Sequence, residues 1–190
     1  GISQLQAGSW VFFIHFSDRV PSDLLEKHVC IGFHMTALPF GRGGSPLQNL
    51  IKRGFQTTML TAYKMTEELD AGPVYTTREL ALSGTAQLVY ERASDLAISM
   101  AWDIFNRRPV PVNQEGEPIV FNRLTPRDSE IPTVGKLRAF YDHVRMLDAT
   151  GYPRAFIRHG PYSVEFTDIQ TVPSGIELLA KAKITCASSV

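Results

Sequence analysis

The residues best suited to chemistry are His34 and Asp70, which stand 36 positions apart. His34 lies in the stretch Phe33-His34-Met35-Thr36-Ala37-Leu38-Pro39-Phe40-Gly41-Arg42-Gly43-Gly44-Ser45-Pro46, and Asp70 in Glu67-Glu68-Leu69-Asp70-Ala71-Gly72-Pro73. An imidazole takes up and returns a proton near neutral pH. A carboxylate beside it fixes the tautomer and raises the ring's basicity. A glycine cluster lets backbone approach a ligand closely and offers N–H groups at a helix start. Arg42, inside that cluster, reads equally as a holder of carboxylate or phosphate and as a solvated loop charge. Taken singly, a His after a strand is most often structural, and an Asp in a turn is a common turn former. Only their combination raises them above that reading.

The surrounding elements must bring the two together. Trp10 to Phe16 is a nearly continuous apolar run, the pattern of a strand buried on both faces of a parallel sheet. Phe12, Phe13 and Phe16 read as core, and His15 and Ser17 as pocket lining or surface. A short helix with Ser22 or Asp23 as its cap follows. His28 to Phe33 reads as a second buried strand, which completes a βαβ unit with a right-handed crossover. His34 then falls at the carboxyl edge of a sheet, where open α/β sheets bind ligands. Met35 to Gly44 reads as a loop. Ser45 is the expected N-cap of the next helix, Pro46 its first residue and Gly54 its C-terminal stop. Thr57 to Met65 alternates like a strand, and after a polar turn Pro73 to Thr77 reads as another.

The longest helix is expected from Gly84-Thr85 to about Asn106, burying Leu88, Ala93, Leu96, Ile98, Met100, Ala101, Ile104 and Phe105. Ile119 to Phe121 reads as a short strand and Val134 to Ala149 as a second amphipathic helix. The tail alternates as antiparallel strands with a turn at Pro173 to Gly175. The expected division is a core over 1–108 and a C-terminal extension over 109–190. The fold class is α/β, with a mostly parallel Rossmann-like sheet followed by a helix and a β-hairpin.

The 190 residues carry nineteen basic and nineteen acidic side chains, with 44% hydrophobic residues. That balance argues for a packed core and against nucleic acid or an anionic membrane as partner. Cys30 and Cys186 form neither a disulfide framework nor a zinc spacing, so no metal site is expected, and the location expected is the cytoplasm. No apolar run is long enough to span a bilayer.

These stretches resemble the formyltransferases that use 10-formyltetrahydrofolate. The family pattern is Asn-x-His-x-Ser-Leu-Leu-Pro, then Arg-Gly, then Pro, then an Asp-x-Gly turn. Here His34, Thr36, Leu38, Pro39, Arg42-Gly43, Pro46 and Asp70-Ala71-Gly72 match it, and Gln114 and Gly116 resemble a later Gln…Gly motif. The resemblance covers roughly Trp10 to Phe121 and implies His34 as base, Asp70 as its support, and Leu38, Pro39, Arg42, Gly43 and Gly72 around the folate. It implies 10-formyltetrahydrofolate as co-substrate and a primary amine as acceptor, first an amino sugar on a nucleotide carrier. Methionyl-tRNA and a hydroxyornithine-type amine are alternatives. The resemblance also implies a homodimer and a chain lacking the family's first βα units.

Gly32 stands where the family has Asn, which otherwise donates to the oxyanion. Thr36, Gln48, Asn49 or a backbone N–H of residues 41–44 are the candidate replacements. A competing reading of the same departure is a degenerate member that binds folate or only dimerises.

Overall fold

The computed structural model describes residues 5–173 and 175–186. The chain forms two compact units: Gly1–Pro46, Thr57–Ala81 and Glu91–Asn122 make the first, and Leu47–Gln56, Leu82–Tyr90 and Arg123–Val190 the second.

The first unit is built on a four-stranded sheet. Its strands are β1 (Trp10–Phe13), β2 (Val29–His34), β4 (Thr57–Lys64) and β5 (Val74–Ala81), in the order β1-β2-β4-β5. Helix α1 (Ser22–Lys27) joins β1 to β2, which run parallel as expected. The helix starts one residue earlier than a Ser22 cap requires and two earlier than an Asp23 cap: Pro21 is the cap and no side-chain cap bond is made. Of the expected parallel character, β1–β2 and a second pair remain; β2–β4 and β4–β5 are antiparallel. That second pair is β3 (Phe40–Gly43) with β6 (Ile119–Phe121). The predicted loop 35–44 therefore contains a strand, drawn into extended form by a partner almost eighty residues later.

Burial follows the sheet order. Strand β1 lies at the sheet edge, so Trp10, Val11 and Phe12 are only half-buried, and Phe16 is exposed. Ile31, Leu60, Ala62 and Leu80, on the strands farther in and on β5, are buried. The core of helix α3 (Ala86–Arg107) is narrower than its apolar composition suggests. Ala86, Val89, Ala93, Ala97, Met100 and Ile104 are buried, whereas Leu88, Ile98 and Phe105 are exposed. The buried set follows a helical period dominated by small residues, which allows close approach of the helix.

Helix α2 (Pro46–Lys52) begins at Pro46 as expected, after Ser45 at a φ of 50°. It ends as the glycine predicts. The Gly54 N–H donates to the Ile51 carbonyl and the Phe55 N–H to the Leu50 carbonyl, with Gly54 at a φ of 81°. This is a Schellman ending.

In the second unit, helix α4 (Leu137–Arg145) is shorter than predicted, since residues 134–136 precede it in non-helical form. Strands β7 (Ala155–His159), β8 (Tyr162–Thr171) and β9 (Leu178–Cys186) form an antiparallel sheet in that order, a three-stranded meander containing the expected hairpin. Ser174, at the predicted turn, lies outside the described residues. Phe140 of α4 packs edge-on against Phe166 of β8, with centroids 5.6 Å apart. A bulge at 167–170 places Asp168 at a φ of 53°, and its N–H donates to Asp148 at 2.8 Å.

Candidate active site

The sheet register sets the site. Successive side chains on a strand alternate between faces. Gly32 and His34 therefore share one face of β2. Their antiparallel partners on β4 are Tyr63 and Thr61, which project to that same face. His34 is the last residue of its strand and is buried.

Asp70 reaches the same place from the turn between β4 and β5. It adopts a φ of 54°, a left-handed conformation that Asp tolerates better than most residues, and it is 6% exposed. Its Oδ2 accepts the Gly43 N–H at 2.8 Å and lies 3.6 Å from His34 Nδ1. Its Oδ1 accepts the Tyr63 hydroxyl at 2.7 Å. On the other side of the imidazole, Nε2 lies 2.7 Å from the Gly41 carbonyl oxygen. A carbonyl only accepts, so Nε2 is the donor and the neutral ring carries its lone pair at Nδ1, facing Asp70. Burial, and then the Asp70 charge, push the Tyr63 phenol far above its ordinary range, so it remains a neutral donor.

Several expected ligand-binding residues have structural duties here. The Arg42 guanidinium donates to Gln114 Oε1 from Nε at 3.1 Å and from Nη2 at 2.8 Å, and its Nη1 meets Glu68 at 3.1 Å. The Gln114 Nε2 donates in turn to the Asp70 and Gly72 carbonyls, both at 2.8 Å. Arg42 and Gln114 thus tie the strand β3 to the Asp70 turn. Gly72 is required by space: a Cβ there would lie 1.7 Å from the Lys64 carbonyl oxygen. Gly41 is similar, since a Cβ would lie 2.6 Å from Thr36 Cγ2 and 2.8 Å from the Phe121 ring. Leu38 and Pro39 are half-buried beside Ala37, which is exposed.

Among the candidate replacements for the missing Asn, Gln48 donates to Tyr90 and to the Met146 carbonyl, and Asn49 Oδ1 accepts from Arg53. The Gly43 N–H is taken by Asp70 and the Gly44 N–H by the Phe121 carbonyl. Thr36 is different. Its Oγ1 is fully buried with no hydrogen-bond partner among the described residues. His15 is exposed, and its Nε2 is 2.8 Å from Ser94 Oγ. A cavity of about 360 Å³ reaches Asp70 and Tyr63, lined also by Arg19, Ser22, Leu25 and Met65. No group of three or more potential metal ligands occurs among the described residues.

Tyr63 and the carbonyl of Gly41 are the parts of the site that the sequence does not single out. Tyr63 alternates with Thr61, but only the strand register places it opposite Gly32. Gly41 carried the signal of a glycine cluster without indicating which carbonyl would meet His34.

Residues 126–185 match the family described as methionyl-tRNA formyltransferase, C-terminal domain. A solved methionyl-tRNA formyltransferase from Clostridium thermocellum is 43% identical, with a TM-score of 0.89, covering 93% of this chain and 78% of that one. The chain belongs to the folate-dependent formyltransferases. The family uses 10-formyltetrahydrofolate.

Within the family, the methionyl-tRNA formyltransferase of Francisella philomiragia is 27% identical over 154 residues, 77% of this chain. The chain spans about half (48%) of that relative's length. A sugar N-formyltransferase from Shewanella shares the formyltransferase fold at 21% identity and a TM-score of 0.62, covering 90% of this chain and 68% of that one. No described helix is long and apolar enough to cross a membrane.

Proposed function

We propose that this chain transfers a formyl group from 10-formyltetrahydrofolate to a primary amine, with His34 as the proton-transfer group and Asp70 as its support. The observation that carries the reading is the buried imidazole, whose lone-pair nitrogen faces a carboxylate held by two other donors. The amine nitrogen attacks the formyl carbon, and the carbon–N10 bond breaks. One amine proton passes to His34 Nδ1 and is delivered to N10, leaving the formamide and tetrahydrofolate. The Asp70 carboxylate meets the transient imidazolium. Such a base contributes roughly 10²–10⁴-fold.

Thr36 Oγ1, buried and unpartnered among the described residues, is the donor we assign to the oxyanion in place of the side chain absent at Gly32. One donor of this kind contributes roughly 10²–10³-fold. Its orphaned state suits a group that acquires its partner from a ligand. Around it, Leu38 and Pro39 offer apolar surface to the folate, and Arg42, Gly43 and Gly72 shape the loops.

For the acceptor, the match of residues 126–185 to a methionyl-tRNA formyltransferase domain supports the aminoacyl end of methionyl-tRNA. An amino sugar on a nucleotide carrier is the second reading, supported by likeness of fold. The test supplies 10-formyltetrahydrofolate with methionyl-tRNA, nucleotide-linked amino sugars and hydroxyornithine in separate reactions, and follows tetrahydrofolate release. Formylation of one acceptor is expected. Folate binding without turnover on any of them sinks the enzymatic reading and leaves the binding module.

A further inference from the structure

We infer that Tyr63 is a positioning residue of this site, occupying the space left open by Gly32 and setting the Asp70 carboxylate against His34. The inference deepens the proposed function and rests on it for its kinetic test.

Three observations converge on Tyr63. First, Gly32 and Tyr63 are direct partners across β2 and β4, on the face that carries His34. Second, a Cβ built on Gly32 would lie 2.9 Å from Tyr63 Cε1 and 3.0 Å from its Cζ and hydroxyl oxygen. At that distance the ring must shift to admit a Cβ. Gly32 is not at a positive φ, so its lack of a side chain answers to the ring and not to the backbone. Third, the hydroxyl donates to Asp70 Oδ1 at 2.7 Å, while Oδ2 accepts Gly43 and faces His34.

A carboxylate turns about its terminal torsion with little resistance. Two donors on its two oxygens remove that freedom. With Oδ1 pinned by the phenol and Oδ2 by a backbone N–H, the second oxygen is left directed at Nδ1. Residues 32 and 63 therefore form one unit: the glycine admits the ring, and the ring carries the only side-chain hydroxyl bonded to Asp70 among the described residues.

Tyr63→Phe is the decisive variant, because it keeps the ring and its packing. With an acceptor identified, kcat is expected to fall roughly tenfold to a hundredfold, as for loss of a hydrogen bond to a charged group, with KM changed less than about twofold. An unchanged kcat overturns the inference. Gly32→Ala should push the ring aside and produce a similar loss. In a Tyr63→Ala background, which opens the space, Gly32→Ala should cost nothing further; additive losses in that cycle also overturn it. A second readout does not depend on formyl transfer. The ¹⁵N resonances of the His34 ring, assigned with His34→Gln, should differ between the wild-type protein and Tyr63→Phe. Coincident His34 signals overturn the positioning role. A moved His34 signal in a protein that formylates nothing would uphold it while removing the proposed function.

Discussion

Arg145 in the second unit and Asp70 in the first are both charged and nearly buried, yet their contacts differ in kind. Arg145 is 2% exposed and is held by three hydrogen bonds. Its Nε donates to Asp142 at 2.6 Å, and its Nη1 to the Leu82 and Gly84 carbonyls at 2.5 and 3.0 Å. The second oxygen of Asp142 is taken by Arg138 at 2.8 Å. Around Asp70, the contact to the imidazole is 3.6 Å, longer than a hydrogen bond, and two residues after that imidazole Thr36 holds a hydroxyl unpartnered among the described residues. A buried charge whose partners all stand at hydrogen-bond distance is a brace. One with an open contact is able to change its interaction as a proton comes and goes.

This contrast is tested most sharply by removing the central residue from each cluster. His34→Ala should lower turnover by roughly 10²–10⁴-fold at a smaller cost in stability, about 1–3 kcal/mol, from the Gly41 carbonyl it leaves without its donor; full turnover would place His34 with the braces. Arg145→Ala should do the reverse. It leaves Asp142 without its innermost partner, and the buried Leu82 carbonyl and half-buried Gly84 carbonyl without this donor, a loss of about 3–5 kcal/mol in denaturant titration. The activity of the protein that remains folded should persist. A stable Arg145→Ala protein with altered kinetics would abolish the distinction.

Smaller effects refine it. Gly54 closes helix α2 at a φ of 81° with open space around its missing Cβ. Gly54→Ala should therefore cost only the left-handed backbone penalty, about 1 kcal/mol, with no loss of rate. His143 supplies a gentler probe. Burial holds its imidazole below the usual His range, against the opposing pull of the Ser129 carbonyl. The unfolded chain therefore takes up the proton first. Stability is full above the ordinary His value of about 6.5 and declines as the pH falls below it. Thermal scans between pH 7.5 and 5 should show the midpoint falling, and His143→Gln should flatten that slope.

Much of the local structure was legible from the residues. The run at β1, the helix start at Pro46, the glycine stop at Gly54 and the strand at Ile119–Phe121 all follow from local rules. The spacing of His34 and Asp70 also drew attention to two residues that the fold does bring together. What could not be read was long-range. Phe40–Gly43 has no strand signal of its own and becomes one by pairing with β6. The exposure of Phe16, Ile98 and Phe105 depends on the position of β1 at a sheet edge and on the small-residue face of α3. Tyr63 emerges only from a register, and registers are not written in a single strand. Arg42 reads equally as an anion holder and a solvated loop charge because its carboxamide partner, Gln114, lies 72 positions away.

That partner has a consequence for how the molecule is made. Residues leave the ribosome in order, and His34 and Asp70 both emerge well before Gln114. Until it arrives, the Asp70 turn lacks the amide that joins its two carbonyls to Arg42, and β3 lacks the strand that extends it. The chemistry-bearing residues are thus synthesised first and locked last. A nascent chain halted between residues 75 and 110 would hold both members of the pair without the clasp that fixes the distance between them.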